Sequence, residues 1–365
     1  MHTHILPIAP QAALPDRKAI RQWLLPLSRR TTAWPVFLLA VDLALFVAAL
    51  AAAVLVSSLW GKLAAGLSAG VVIARLFIIG HDACHQSLTP HRRLNRWLGR
   101  IAFLPSLTPY SLWDMGHNVV HHGYTNLKGF DFVWAPLTAQ EFAALSPARK
   151  RLERVYRSGL APGLYYLVDI WWKRMYFPNA SEVPTRRKVF IADNVMVTAF
   201  ALGWMVGLAL CAMAAGQSVL AVLLAGFLLP LAVWFTLVGF VVYAHHTHTS
   251  IAWHNERNAW SKAQPFVSTT VHLTFPARLG GVLHHIMEHT AHHVDMSIPF
   301  YRLRRAQARL ESLLPKRIVI QRFSWKWYFE TVRHCKLYDF NRACWTDFEG
   351  VATIPEETGA LGSAT

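Results

Sequence analysis

Three words of the sequence carry imidazoles at helical spacing: His81-Asp-Ala-Cys-His85, His117-Asn-Val-Val-His121-His122 and His289-Thr-Ala-His292-His293. Residues three and four apart share one face of an α-helix. Each word, if helical, therefore aims two or three rings at one point. Neutral imidazole is a ligand for iron, zinc, copper and nickel. The chain holds 19 histidines, and all but His2, His4 and His334 fall between His81 and His293. Eight ring ligands exceed the three side chains and a water that hold a catalytic zinc, and they suit two metals. Imidazoles leave a metal's charge uncancelled, so carboxylates that orient the rings gain importance. Asp82, Asp131, Glu288 and Asp295 are the candidates, each with a solvated surface charge or a helix cap as its plainer alternative. The four cysteines form no CxxC pair. That excludes a zinc ribbon, a thioredoxin motif and a cysteine-held iron–sulfur cluster.

The elements that must position these rings are apolar. Of the 365 residues, 54% are hydrophobic and only 15% charged, and the hydrophobic ones gather in blocks. Four blocks, residues 36–59, 63–80, 195–215 and 219–244, are long enough to cross a bilayer core of about 30 Å as helices. Each pair is joined by a few residues, Gly61–Lys62 in the first and Gly216–Ser218 in the second, which predicts two helical hairpins. Asp42 and Arg75 lie within the first pair and are assigned no role. The net charge of +16 fits an anionic membrane surface better than nucleic acid, given the four blocks. Basic residues crowd one side: Arg17, Lys18, Arg21, Arg29 and Arg30 before the first block, Arg92, Arg93, Arg96 and Arg100 after the second, and Arg186, Arg187 and Lys188 before the third. The positive-inside rule then makes both termini, residues 81–188 and residues 245–365 cytoplasmic. All three histidine words fall on that side. Residues 101–113, broken by Pro105 and Pro109, and residues 164–177, rich in Trp and Tyr, read as segments lying at the headgroups. No secretory signal opens the chain, because a long polar or mixed stretch precedes the first block.

The expected fold is thus an all-α integral membrane protein. Four transmembrane helices form two hairpins, and a cytoplasmic helical cap holds a histidine-rich di-metal site. Its parts are a cytoplasmic segment 1–33, a core domain 34–310 and a cytoplasmic segment 311–365 whose tail, from about 355, is disordered.

The three words resemble the histidine boxes of the membrane fatty acid desaturases and hydroxylases. The flanking words TNLKGFDFVWAP (125–136), HTH (246–248) and HTAHHVDMSIPFYRL (289–303) look like the acyl-lipid Δ12 (omega-6) branch. The resemblance covers roughly residues 70–310. It implies two iron ions, O2 and two electrons, used to remove two hydrogens from adjacent methylenes of a lipid-linked acyl chain and leave a cis double bond. Such methylenes carry no acidic proton, so oxidative chemistry takes the place of acid–base groups. The resemblance further implies that His81, His85, His117, His121, His122, His289, His292 and His293 hold the iron. Among further ligands, His246, His248 and His284 qualify. His248 and His284 match the family words best, with His245 and His285 as neighbouring alternatives. His254 and His272 read as surface or supporting residues, and His2, His4, His91 and His334 as non-ligands. No haem-binding HPGG word is present, so the expected electron source is a separate acidic carrier, such as a ferredoxin or a cytochrome b5-like protein. Sister oxygenases, the carotenoid ketolases and hydroxylases and the alkane or acyl hydroxylases, are the alternative reading. A zinc carrier is disfavoured, because transporters place ionisable ligands within the spans.

Overall fold

The computed structural model describes residues 6–178 and 187–354. The tail expected from about 355, and Arg186, lie outside the described residues. The chain divides into two compact units, one of residues 30–118 and 163–240, the other of residues 1–29, 119–162 and 241–365.

The first unit is built on four helices long and apolar enough to cross a membrane: α1 (Ala33–Leu55), α2 (Leu59–Cys84), α3 (Lys188–Ala214) and α4 (Val219–His246). The last residues of α4, from Val241, belong to the second unit. The turn between α1 and α2 falls at residues 56–58 rather than at Gly61–Lys62. The cause is Lys62. Its ammonium is buried and donates to the carbonyls of Ala53 (2.9 Å) and Val54 (3.1 Å). It thereby satisfies the orphan acceptors that every helix C-terminus leaves. A charge read as a loop residue is therefore the device that closes α1. At its other end α2 runs four residues beyond Gly80 and takes His81 into its last turn.

Small residues bring these helices close, as expected where no water drives association. A Cβ on Gly66 would lie 2.2 Å from the Ala225 carbonyl oxygen, and one on Gly70 would lie 2.5 Å from Val233. Gly66 thus rests against a π-helical stretch of α4, Leu224–Leu228. Asp42 of α1, fully buried, accepts from Arg75 Nε of α2 at 2.8 Å. This pairing explains how both charges are carried within spans. Beyond Ile101, which is exposed, residues 102–113 are mostly buried rather than laid on a surface. Ser106, Leu107, Thr108, Tyr110, Leu112 and Trp113 are buried, with Trp113 edge-on to Phe77 at 5.6 Å. Pro105 and Pro109 fold this segment inward after the helix Arg92–Phe103. The stretch Tyr166–Tyr176 is π-helical and two-faced. Tyr166, Ile170, Trp171 and Met175 are buried, whereas Trp172 is half exposed.

The second unit joins short helices to two small sheets. β1 (Val271–Thr274) pairs in parallel with β2 (Val319–Arg322), and β3 (Leu337–Asp339) pairs antiparallel with β4 (Cys344–Thr346). The protein is therefore mostly helical rather than all-α. The β-branched runs Val319–Ile320 and Val271 were too short to register as strands against the helical background. An N-terminal helix, Arg17–Leu24, is capped by Asp16, whose Oδ1 accepts from the Ala19 N–H at 2.8 Å. Its Arg17 donates to the carbonyls of His293 (2.7 Å) and Val294 (3.1 Å), and Arg21 pairs with Asp295 at 3.1 Å. This helix thus holds the C-terminal end of the helix His289–Val294.

Candidate metal centre

Four imidazoles of the second unit meet in its interior. His121 ends the π-helical stretch Met115–His121, His246 ends α4, and His289 and His293 stand one turn apart in the helix His289–Val294. All four are buried, and their candidate ligand nitrogens lie within 4.8 Å of one another.

The partners of three rings decide where their protons are. His246 Nδ1 lies 3.0 Å from the Thr269 carbonyl, which can only accept, so Nδ1 carries the proton. His121 Nδ1 lies 3.1 and 3.2 Å from the carboxylate oxygens of Asp131 and donates to them. Thr125 Oγ1 gives its own proton to the His121 carbonyl at 2.7 Å. It can therefore only accept from His293 Nδ1, 3.3 Å away. In each ring Nε2 is left as a bare lone pair. His293 Nε2 is buried without a hydrogen-bond partner, as is His289 Nδ1. His289 Nε2 sits 2.9 Å from His246 Nε2. One hydrogen bond there satisfies one lone pair, whereas a cation would satisfy all of them. Buried polar groups are ordinarily partnered, so this set fits a metal bound by nitrogen ligands. Burial, then the neighbouring imidazoles, hold His289 and His293 well below the usual histidine range. Both are then neutral at pH 7, the form that binds metal.

The other box histidines lie outside this quartet and divide between the two units. In the first unit His81 Nε2 lies 3.3 Å from His85 Nε2 and 3.1 Å from His117 Nε2. Trp113 stacks on His117 with centroids 4.1 Å apart, and His81 Nδ1 lies 3.3 Å from Asp82. In the second unit His122 Nε2 lies 3.0 Å from His292 Nε2. The rings of one word thus do not all aim at one point. His117 joins His81 and His85, His121 joins the quartet, and His122 meets His292. The π-helical winding over 115–121, with i→i+5 bonding, rotates these rings away from a regular α-helical face. In the third word the i, i+4 pair His289 and His293 stays together, and His292 points elsewhere.

Several sequence candidates sit outside these groups. His248 accepts from the Ser250 N–H at 3.0 Å and lies 3.4 Å from Gln321. His246, two residues earlier, occupies the quartet instead. His284 packs on Phe300 with centroids 4.7 Å apart, and His285 bonds Glu288 at 3.0 Å. His245 stacks on His289 at 3.7 Å with its Nε2 toward the Met287 sulfur at 3.2 Å. His272 pairs with Glu311 at 2.5 Å. Of the four carboxylates, Asp131 and Asp82 face box rings, whereas Glu288 faces His285 and Asp295 faces Arg21. Sequence reasoning missed Thr125 and the Thr269 carbonyl as orienting groups. Thr125 at least lay inside a quoted flanking word, but a backbone acceptor leaves no mark in composition.

Four helices long and apolar enough to cross a membrane, and groups of histidines placed so that they could hold a metal ion, are the class features of this chain. The pattern of the fatty acid desaturase family matches residues 58–325, and the chain belongs to that family. It is an oxidoreductase. Among its relatives are the sn-1 oleoyl-lipid 12-desaturase of Picosynechococcus sp., 30% identical over 74% of this chain and 75% of the relative. The chloroplastic omega-6 fatty acid desaturase of Arabidopsis thaliana is 28% identical over 74% of this chain and 58% of the relative. That of Spinacia oleracea is 26% identical over 94% of this chain and 74% of the relative.

Proposed function

We propose that the protein is an O2-dependent, non-haem di-iron desaturase that places a cis double bond at Δ12 (omega-6) in lipid-linked acyl chains. The observation that carries this reading is the quartet of buried imidazoles, in which three rings turn bare Nε2 lone pairs inward and a single His289–His246 hydrogen bond can satisfy only one of them. The relatives' names supply the acyl-lipid substrate and the Δ12 position. The eight box histidines with His246 are the ligands of the two irons. His248 and His284, kept by the family words, are the weaker ligand candidates because each has another partner here. Bound iron would supply the oxidising power that an unactivated methylene demands.

The chain's own residues do the rest. Asp131, Thr125 and the Thr269 carbonyl fix the tautomers of His121, His293 and His246, so the rings need not reorganise when metal binds. Arg17 and Arg21 hold the helix that carries His289, His292 and His293. Burial keeps stray water from the quartet. In this reading α1–α2 and α3–α4 are transmembrane hairpins, residues 34–310 form the desaturase domain, and both termini and the site are cytoplasmic. The basic residues flanking the spans support that orientation. They also suit steering of an acidic electron carrier.

The test is metal content. Purified full-length protein should carry ~2 irons per chain, the load that two nitrogen-rich sites would take. His246→Ala should lose iron while retaining membrane insertion. Tightly bound zinc with no iron would sink the reading.

A further inference from the structure

The helix Arg92–Phe103 has two faces. Asn95, Leu98, Gly99, Ala102 and Phe103 are buried, whereas Arg92, Arg93, Arg96, Trp97 and Ile101 are exposed. Trp97 is 65% exposed and Ile101 41%, so two large apolar side chains stand on the same outer face as the three arginines. Asn95 anchors the helix start through Thr89, accepting from its N–H at 2.9 Å and its hydroxyl at 2.7 Å.

The inner face sets the height of this helix against the spans. A Cβ on Gly80 would lie 2.3 Å from the Phe103 ring, and one on Gly99 would lie 3.0 Å from Ala83. The helix therefore packs on the last turns of α2. Arg100 ties it to α3 by donating to Asp193 at 2.8 Å, and Asp193 also accepts from the Ser111 N–H at 2.8 Å. With 26 residues, α2 is about 39 Å long, against a hydrocarbon core of about 30 Å. Its last turns thus stand at the headgroup layer. Phe103 meets Gly80 and Gly99 meets Ala83, so the helix runs antiparallel to α2, and Arg96 and Arg93, one to two turns before Gly99, extend past the end of α2. Arg187 and Lys188, exposed at the start of α3, continue the basic belt.

Arg100 is consumed by Asp193. Among the described residues, no carboxylate pairs with Arg92, Arg93 or Arg96. Charge of one sign, an interfacial tryptophan and an exposed isoleucine at headgroup height match one partner chemistry, the phosphate and upper acyl region of an anionic phospholipid. An acidic protein would answer the charge but gains nothing from Ile101 placed at the acyl boundary. We propose that the outer face of Arg92–Phe103 binds the headgroup of an anionic phospholipid. In doing so it would hold a phosphate-bearing lipid beside the end of α2, where His81 and His85 stand. This deepens the proposed acyl-lipid activity and rests on it for function, but the binding itself can be read without turnover.

The experiment measures binding of pyrene-labelled phosphatidylglycerol and phosphatidylcholine to the full-length protein in neutral detergent. The variants are Arg93→Gln/Arg96→Gln and, as a control of equal charge loss, Arg305→Gln/Arg309→Gln on another helix. Wild type should prefer phosphatidylglycerol. The first pair should weaken it about 30-fold, the equivalent of ~1 kcal/mol per arginine, with phosphatidylcholine unchanged and the effect shrinking in high salt. The control pair should leave both lipids within about twofold. Equal binding of the two lipids by wild type, or equal losses in the two variant pairs, would overturn the proposal. Unchanged lipid binding with slower reduction by a ferredoxin would assign the face to the electron carrier instead. Failure of desaturation with intact phosphatidylglycerol preference would fault the activity and leave this site standing.

Discussion

Asp131 shows how much one side chain can organise. Its carboxylate accepts from the His121 ring and from the backbone N–H groups of Asn126 and Val133, each at 3.0 Å. It therefore orients the His121 ring, a ligand in the proposed function, and closes the loop behind it. Asp131→Asn replaces one accepting oxygen with a donor and sets it against an N–H. Metal affinity should fall about 10- to 100-fold, with insertion retained, as read by iron retention against a chelator; unchanged retention would deny the orienting role. The depressed histidines give a pH dependence. In the folded, metal-free protein His289 and His293 stay neutral, whereas unfolded histidine takes a proton near pH 6.5. The unfolded state therefore binds more protons below that pH, and stability should fall as pH drops from about 6.5. Chelator-stripped protein in detergent should melt earlier at pH 5.5 than at pH 7.5, and the gap should narrow in His293→Gln. That the box histidines would cluster, and that Asp131 would stand beside one of them, was legible in the sequence because residue types and helical spacing are local properties. The choice of His246 over His248 was not, since it depends on where α4 stops and which ring meets the Thr269 carbonyl.

At the scale of elements, the apolar runs located all four long helices, but their ends depended on single polar contacts. Lys62 moved the first turn by reaching back to the carbonyls of α1, and α2 continued past Gly80 to carry His81. Both departures have one cause. A charged or polar residue that finds backbone acceptors or ring partners can remain inside a helix that hydropathy alone would end. The π-helical stretch at 115–121 was likewise invisible, because its winding leaves no composition signal, yet it parts His117 from His121. Close packing of α2 and α4 offers a direct test. Gly66→Val drives a branched side chain into the Ala225 carbonyl and should cost about 1–3 kcal/mol, seen as a lower melting temperature in detergent. Gly203→Ala, with nothing within 4 Å of the added carbon, should leave the melting temperature unchanged. Equal effects of the two would mean that α2 and α4 do not meet at Gly66.

For the whole molecule, the histidine words are scattered over more than 200 positions of sequence, from His81 to His293. The family match over residues 58–325 takes in every box and all but the first span. The N-terminal helix falls outside that match, yet its Arg17 and Arg21 grip the end of the helix bearing the third box, a long-range contact that no local pattern announces. The central claim is that this assembly desaturates an acyl lipid. Its most direct test is a fatty acid profile by gas chromatography–mass spectrometry of a bacterial host supplied with oleoyl chains, iron and a competent reductant, expressing wild type or His292→Ala. The account predicts a new diene with its second double bond at Δ12 in wild-type cells and none in the variant. No diene from iron-loaded, membrane-inserted wild type would contradict it, and an oxygenated product in its place would assign the chain to the sister oxygenases.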